Sequence, residues 1–188
     1  VPALGYGPPE MGLGIVGGED VENTKCALIV GRNPSAADPV QWMGLKRAME
    51  KGAKSIVMDP AETPAAKSAD IWLRPRPGTD VAIALAMTQV IIEEQLYDES
   101  FVDTWTSGFD ELKNRAYEFP PARAEELSGV PAADIVAAAR MYADGPSCFV
   151  SGHGIDAFSN GVQTFRAFHC LVAITGNVDR KGGNLRVK

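Results

Sequence analysis

A polar segment with the composition of a nucleotide-binding turn follows the apolar run at residues 26–30. It reads Gly31-Arg32-Asn33-Pro34. Glycine lets a ligand approach the backbone, and a helix that begins a few residues later presents free N–H groups to an anion. The segment lacks the G-x-G-x-x-G pattern of dinucleotide-binding turns. It therefore indicates either a phosphate-binding loop or a plain turn with an asparagine cap.

Two aspartates occupy comparable positions further along the chain. Asp59 follows the apolar run at residues 54–58, where nucleotide-binding sheets place the acid that bonds ribose hydroxyls. Asp80 ends the turn of residues 74–80, which also contains two arginines. Its carboxylate could accept two parallel hydrogen bonds from the N1–H and N2–H2 groups of guanine, a pair of donors that adenine lacks. For both aspartates the alternative is a helix N-cap.

One of the two histidines lies between glycines, in Gly152-His153-Gly154. We expect it on an exposed, flexible loop, where it could contact a ligand, transfer a proton or simply be solvated. His169 lies inside an apolar helical stretch and is expected to be packed. The sequence shows no nucleophile with an adjacent base, no metal-ligand cluster and no Walker loop, so no catalytic residue and no metal ligand is assigned.

The composition excludes several classes of protein. A net charge of −6 disfavours non-specific binding of nucleic acid. The three cysteines are far apart and form no C-x-x-C, which excludes a zinc ribbon, a ferredoxin-type cluster and a thioredoxin motif within this chain. We expect all three to be buried packing residues. The longest uncharged apolar stretch, residues 81–92, is shorter than the roughly 20 residues of a membrane span.

Apolar runs alternate with helical patterns, which predicts an α/β fold of the Rossmann-like, doubly wound type. Its sheet would be mostly parallel, with helices on both faces in three αβα layers. Residues 1–24 predict an irregular lead-in, and residues 25–188 a single α/β domain with a helical excursion at 98–143. The predicted strands cover residues 26–30, 54–58, 71–73 and 148–150, and the other predicted helices cover 38–52, 63–68, 79–95 and 160–175. Val40, Met43, Leu45 and Met49 are expected to form the buried stripe of the first helix.

The ordered series of these segments resembles the molybdopterin oxidoreductases of the dimethyl-sulfoxide-reductase type. The resemblance runs from about residue 25 to residue 185. The matching stretches include the strand that ends in G-x-N-P at 31–34, D-P at 59–60, R-P-G-T-D at 76–80, G-x-G at 152–154 and T-G-N-V-D-R-K-G-G-N at 175–184.

This resemblance implies a cofactor, a pair of molybdopterin guanine dinucleotides on one molybdenum or tungsten ion. The chain would carry the guanosine-phosphate end of one of them. Gly31 and Asn33 would approach the phosphates, Asp59 the ribose and Asp80 the guanine. The other residues that the resemblance places at the cofactor are Arg32, Pro34, Pro60, Thr63, Arg76, Gly78, Gly152, His153 and Gly154.

One position departs from the family pattern. The family usually has Asp-Pro-Arg after the second strand, and this chain has Ala61 in place of the arginine. A cationic contact is lost there, for which Arg76 or Arg32 could compensate.

The resemblance also implies that the chain is an inactive segment of a larger enzyme. The first residue is Val and the family's iron–sulfur cysteines and metal ligand are not visible, so both are expected in the remaining domains of the same polypeptide. Electron-transfer subunits are the further expected partners. The whole enzyme would transfer an oxygen atom, or electrons and a proton, to a small substrate. A non-redox hydratase or transhydroxylase and an independent guanine-nucleotide-binding module are the alternatives. Substrate, metal and compartment (prokaryotic cytoplasm or periplasm) stay open.

Overall fold

The computed structural model describes residues 16–186, so most of the predicted lead-in at 1–24 lies outside the described residues. The described strands are β1 (Val16–Glu19), β2 (Cys26–Val30), β3 (Lys54–Met58), β4 (Ile71–Leu73), β5 (Ser147–Ser151) and β6 (Asn184–Arg186). The described helices are α1 (Pro34–Ala37), α2 (Pro39–Glu50), α3 (Pro64–Lys67), α4 (Asp80–Glu93), α5 (Glu99–Trp105), α6 (Phe109–Tyr117), α7 (Pro121–Ser128), α8 (Ala132–Ala143), α9 (His153–Asp156) and α10 (Gly161–Ile174).

Four parallel strands form the central sheet, in the order β4-β3-β2-β5. All five residues of β2 are buried, as expected for a strand covered on both faces. Val30 pairs with Met58 on one side and with Ser151 on the other. Because these three residues are the last of their strands, the loops that follow β2, β3 and β5 begin at the same edge of the sheet.

Helices cover both faces of this sheet, which confirms the predicted three-layer architecture. Leu28 and Val30 of β2 face a core that includes the apolar residues of α4, α8 and α10. Ala27 and Ile29 point the other way, into a smaller core with residues of α2 and α3. The alternation follows from the two-residue period of a strand.

The predicted excursion at 98–143 is helical and consists of α5 to α8. Within it, α8 contacts α4 and the strands β2, β3 and β4, so this segment does cover one face of the sheet. Two short helices occupy segments that were predicted as loops. They are α1, directly after the turn at 31–33, and α9, which begins at His153.

The predicted buried stripe of α2 is wrong in two of its four positions. Val40 and Met43 are exposed, at 79 % and 57 % of their surface. The buried face instead consists of Gly44, Leu45 and Ala48. Since successive residues rotate by about 100° around a helix, Met43 lies almost opposite that face and Val40 at its flank.

A second, antiparallel pair of strands was not predicted from the sequence. It joins β1 to β6, and Asn184 of β6 reaches β5. The Asn184 side chain donates to Phe149 O and accepts from Phe149 N, both at 2.9 Å. Because β5 is the outer strand of the parallel sheet, this amide satisfies backbone groups that would otherwise form a bare sheet edge. Among residues 16–186, no helix has the length and apolar character needed to cross a membrane.

Candidate functional site

The chain reverses its direction of winding between β2 and β5, which are neighbours in the sheet. After β2 the chain continues to α2 on one face, and after β5 it continues to α10 on the other. In parallel sheets such a reversal opens a crevice beyond the carboxyl ends of the strands, where ligands bind. The loops at 31–33 and 151–154 form this part of the edge.

Three glycines bring these two loops into backbone contact. A Cβ atom on Gly152 would lie 2.3 Å from Gly31 O, and one on Gly154 would lie 2.8 Å from Gly31 Cα. Gly154 N donates to Gly31 O at 3.1 Å, and Gly31 has a φ of +56°. The close approach of the loops therefore requires glycine at 152 and 154. These glycines therefore have a structural role, and the contact with a cofactor that was also predicted for them stays a prediction.

Arg32 ties the same loops together through its guanidinium group. One Nη atom donates to Ser151 O at 2.9 Å, and the other lies 3.3 Å from Asp38 Oδ2. Asp38 also accepts from Gln41 N at 3.0 Å and so forms the N-cap of α2, as predicted. The Nε atom of Arg32 is buried and has no hydrogen-bond partner within residues 16–186.

The asparagine at position 33 precedes α1 but does not cap it through its side chain. Its Oδ1 accepts from Ser35 Oγ at 2.7 Å instead. Pro34 is the buried first residue of α1. A plain asparagine cap, the alternative left open by the sequence, is therefore not what this turn contains.

The carboxylate of Asp59 forms a tight turn directly after β3. Its Oδ1 accepts from Ala61 N at 2.8 Å. The N-cap of the next helix is Thr63, whose hydroxyl accepts from Ala66 N at 3.1 Å, so the N-cap alternative for Asp59 is wrong. Asp59 is half-buried, and Pro60 beside it is exposed.

Asp80 is the first residue of α4, and only 7 % of its surface is exposed. Burial raises the pKa of its carboxyl, and the like charge of Asp59 raises it further. The backbone N–H groups of Gly78 and of Asp80 itself offset part of that rise. The N-cap position belongs to Thr79. Within the described part of the chain Asp80 joins no ion pair.

The arginines near this turn have partners inside the protein. Arg76 donates to the carbonyl oxygens of Glu126 and Leu127, at 2.9 and 3.0 Å. Arg74 donates to Pro60 O at 3.0 Å. The structure thus gives Arg76, like Arg32, a role in joining segments of the chain. Compensation for the arginine missing at position 61 stays a prediction.

Two contacts at the site were not predicted from the sequence. Asn160 Nδ2 donates to Gly78 O at 2.9 Å across a separation of 82 residues. The ring of Phe158 lies against Gly78, where an added Cβ would be 3.3 Å from the nearest ring atom. No local pattern could have shown these contacts, because they depend on how the loop after β5 folds back over α4.

His153 is exposed, as expected, although it begins a short helix and not a flexible loop. Its Nδ1 lies 3.3 Å from Asp156 Oδ2. His169 is packed, as predicted, with its ring centroid 4.7 Å from that of Phe165, and burial lowers its pKa to about 4. Residues 16–186 contain no group of three or more side chains able to hold a metal ion.

The cysteine prediction is confirmed at two positions of three. Cys26 and Cys148 are buried, and Cys170 is only partly buried. Burial raises the pKa of the Cys148 thiol to about 12, so this cysteine is a packing residue in its neutral form.

Comparisons with known proteins agree with this fold. Acetylene hydratase of Syntrophotalea acetylenica is 42 % identical over 157 residues, which cover 82 % of this chain and 22 % of that protein. F420-dependent formate dehydrogenase 1 subunit alpha of Methanococcus maripaludis is 38 % identical over 164 residues, covering 87 % and 24 %. Formate dehydrogenase H of Escherichia coli is 36 % identical over 162 residues, covering 86 % and 23 %.

A solved structure matches the fold as well. Acetylene hydratase from Pelobacter acetylenicus superposes with a TM-score of 0.81 and 41 % sequence identity, over 84 % of this chain and 22 % of that one. The chain thus spans about a quarter of the length of the relatives it matches. The family model for molybdopterin oxidoreductases matches residues 10–188, and the chain belongs to that family.

Proposed function

We propose that this chain binds the guanosine-phosphate end of a molybdopterin guanine dinucleotide. The observation that carries the proposal is the buried Asp80 carboxylate at the carboxyl edge of the sheet, with a raised pKa and a like charge beside it. A buried carboxylate is stable only when hydrogen-bond donors reach it. Its oxygens accept two parallel bonds, which matches the N1–H and N2–H2 donors of guanine.

The neighbouring acid fits the next part of the same ligand. One oxygen of Asp59 holds the turn through Ala61 N, and the other is the acceptor for a ribose hydroxyl. The two acids follow neighbouring strands, since β3 pairs with β4 up to the last residue of each, and the Asp59 charge adds to the rise in the pKa of Asp80. A guanosine would therefore meet an acceptor for its base and an acceptor for its sugar on one side of the crevice.

The two loops at the reversal point would hold the phosphates. Gly31, Gly152 and Gly154 keep these loops in contact, and Arg32 fastens them through Ser151 O. The Nε–H of Arg32 is buried without an acceptor within residues 16–186, and the Arg32 guanidinium would add positive charge beside the phosphates. When bound, the cofactor supplies redox or oxygen-atom chemistry at its metal ion, while the protein binds and orients it.

The proposal extends to the whole protein by family membership. Residues 25–188 would form a single cofactor-binding domain of a molybdenum- or tungsten-dependent oxidoreductase. Further domains of the same polypeptide belong to the proposal because the relatives are about four times longer. Partner subunits are supported by a relative named as a subunit alpha, and an iron–sulfur cluster belongs to the proposal as what the family resemblance implies. A redox reaction is favoured by relatives named as formate dehydrogenase and thiosulfate reductase.

A non-redox hydration reaction is the second candidate for the whole protein. The matches to acetylene hydratase, at 42 % identity in sequence and a TM-score of 0.81 in structure, favour it. The residues described above bind the same cofactor under either reaction. The third reading, an independent guanine-nucleotide-binding module, shares the Asp80 contact and needs no metal.

Calorimetric titration of the chain with GDP and ADP tests the proposed base contact. We expect GDP to bind about 30-fold more tightly, since a good bidentate pair contributes about 2 kcal/mol of discrimination between bases. Asp80→Asn removes one acceptor and should abolish the preference. Asp110→Asn, the same change at an exposed aspartate of α6, is the matched control. Equal affinities for GDP and ADP would contradict the proposal.

A further inference from the structure

We propose that Phe158 is the surface on which the guanine base stacks while Asp80 binds its edge. This inference rests on the function proposed above and adds a second contact to the same base. It assigns a ligand contact to a residue that lies outside the matched motifs.

Phe158 is held in place by the turn between α9 and α10. Gly161 N donates to Phe158 O at 2.9 Å, and Asn160 Nδ2 donates to Gly78 O at 2.9 Å. The second bond fastens this turn to the segment that precedes α4. The position of the Phe158 ring relative to that segment is therefore set by a direct hydrogen bond between the two segments.

The ring lies directly against the backbone of Gly78. A Cβ added there would be 3.3 Å from Cδ1 of Phe158 and 3.6 Å from Cγ. Gly78 lies two residues before Asp80, and its N–H group lowers the pKa of the Asp80 carboxyl. The ring therefore packs at the same turn that carries the carboxylate.

Of these two side chains, the apolar one is exposed to solvent and the charged one is buried. The apolar ring of Phe158 is 39 % exposed, whereas the charged Asp80 is 7 % exposed. An open aromatic face beside a recessed carboxylate has the two features that a base needs, a flat surface for its ring and acceptors for its edge.

The two contacts should contribute differently to binding. Stacking on an aromatic side chain tolerates any base, because every base has a π face. The carboxylate discriminates, because only guanine offers paired donors to it. Phe158 would therefore raise the affinity for GDP and ADP alike, and Asp80 would set the ratio between them.

The test uses calorimetric titration of the 188-residue chain and its variants with GDP, ADP and inorganic pyrophosphate. Phe158→Ala should weaken GDP and ADP by a similar factor of about ten or more. The ratio of the two affinities should not change, and neither should the affinity for pyrophosphate, which has no base. Tyr117→Ala, at a comparably exposed aromatic of α6 (45 %), should change none of the three affinities.

Two further variants distinguish stacking on an aromatic ring from contact with any large apolar side chain. Phe158→Leu keeps an apolar side chain without an aromatic face and should lose most of the same affinity, whereas Phe158→Trp should keep at least the original affinity. Unchanged nucleotide affinity in Phe158→Ala would overturn the stacking role, as would an equal loss for pyrophosphate. If the unsubstituted chain binds GDP and ADP equally while Phe158→Ala weakens both, the guanine contact of Asp80 fails and the stacking role holds. No GDP binding by the unsubstituted chain would overturn both.

Discussion

The two sides of the carboxyl edge look alike in sequence and differ in structure. At the loops after β2 and β5, glycine backbones contact each other and the Arg32 guanidinium binds a carbonyl and a carboxylate of the same chain. At the turns after β3 and before α4, burial and the like charge of Asp59 raise the pKa of Asp80, which joins no ion pair within residues 16–186. The first side is stabilised by the protein itself, and the second is the side at which we propose that the nucleoside binds. Polar residues after a strand therefore predict which edge of the sheet is a candidate for ligand binding, but not which of those residues would contact the ligand.

The largest effect is expected on the first side, from Gly152→Ala. The new Cβ would lie 2.3 Å from Gly31 O, so the two loops must separate. We expect a loss of about 3 kcal/mol in the free energy of unfolding, typical of severe overpacking, measured by urea denaturation. Gly52→Ala is the control, since Gly52 has a φ of +98° with open space around it and should cost only about 1 kcal/mol of backbone strain. Equal losses in both variants would show that the loop contact is not tight.

Arg32→Ala should have the next largest effect. It removes a hydrogen bond to Ser151 O and the ion pair with Asp38, for an expected loss of about 2 kcal/mol in stability. The preference for GDP over ADP should be retained, because the proposed base contact lies on the other side of the edge. Arg166→Ala, at an exposed arginine of α10, serves as the control in the same urea titrations. If Arg32→Ala lost the preference for GDP over ADP, the two sides of the edge would not have the separate roles described above.

On the second side, Asp80→Asn should increase stability at pH 7. The folded state raises the pKa of this carboxyl above 3.8, so the folded chain binds the proton more tightly than the unfolded chain does. The destabilising contribution of Asp80 is therefore absent below pH 3.8 and grows as the pH rises through the folded-state pKa. Thermal unfolding from pH 3 to pH 7 should show the advantage of Asp80→Asn shrinking as the pH falls. Asp110→Asn should show no such trend, and a constant advantage would contradict a raised pKa.

The smallest effect is expected from Asp59→Asn, which keeps an oxygen for the bond from Ala61 N. Removing this like charge should lower the pKa of Asp80, by less than burial raises it, because burial is the larger cause. An NMR titration of the Asp80 carboxyl carbon measures the change directly. A pKa that stays the same or rises would mean that the two carboxylates are too far apart to bind one nucleoside.

Much of the fold could be predicted because its signals are local. Apolar runs such as residues 26–30 correspond to buried strands, and proline and aspartate at 38–39 correspond to the start of α2. The buried face of α2 was predicted partly wrong because apolar type was followed instead of angular position, and Met43 points to solvent. The pairing of β1 with β6 and the bond from Asn184 to Phe149 could not be predicted, because they join residues distant in the chain.

In the site, too, features with local sequence signals could be predicted and contacts between distant residues could not. Positions after predicted strands selected Asp59 and Asp80, and the resemblance supported both; in the structure they follow β3 and β4, which end at the same edge of the sheet. The contact of Gly152 with Gly31 and that of Phe158 with Gly78 required the folded chain. Each depends on the chain after β5 returning to a segment about 80 residues or more away, which no local spacing encodes.

The most direct test of the Asp80 contact compares GDP, IDP and ADP binding to the unsubstituted chain and to Asp80→Asn. IDP keeps the N1–H group of guanine and lacks the N2 amine, so it offers one donor where GDP offers two and ADP offers neither. We expect affinities in the order GDP, IDP, ADP for the unsubstituted chain, and nearly equal affinities for Asp80→Asn. The same affinity for all three nucleotides in the unsubstituted chain, or the same order in Asp80→Asn, would contradict guanine binding by this carboxylate.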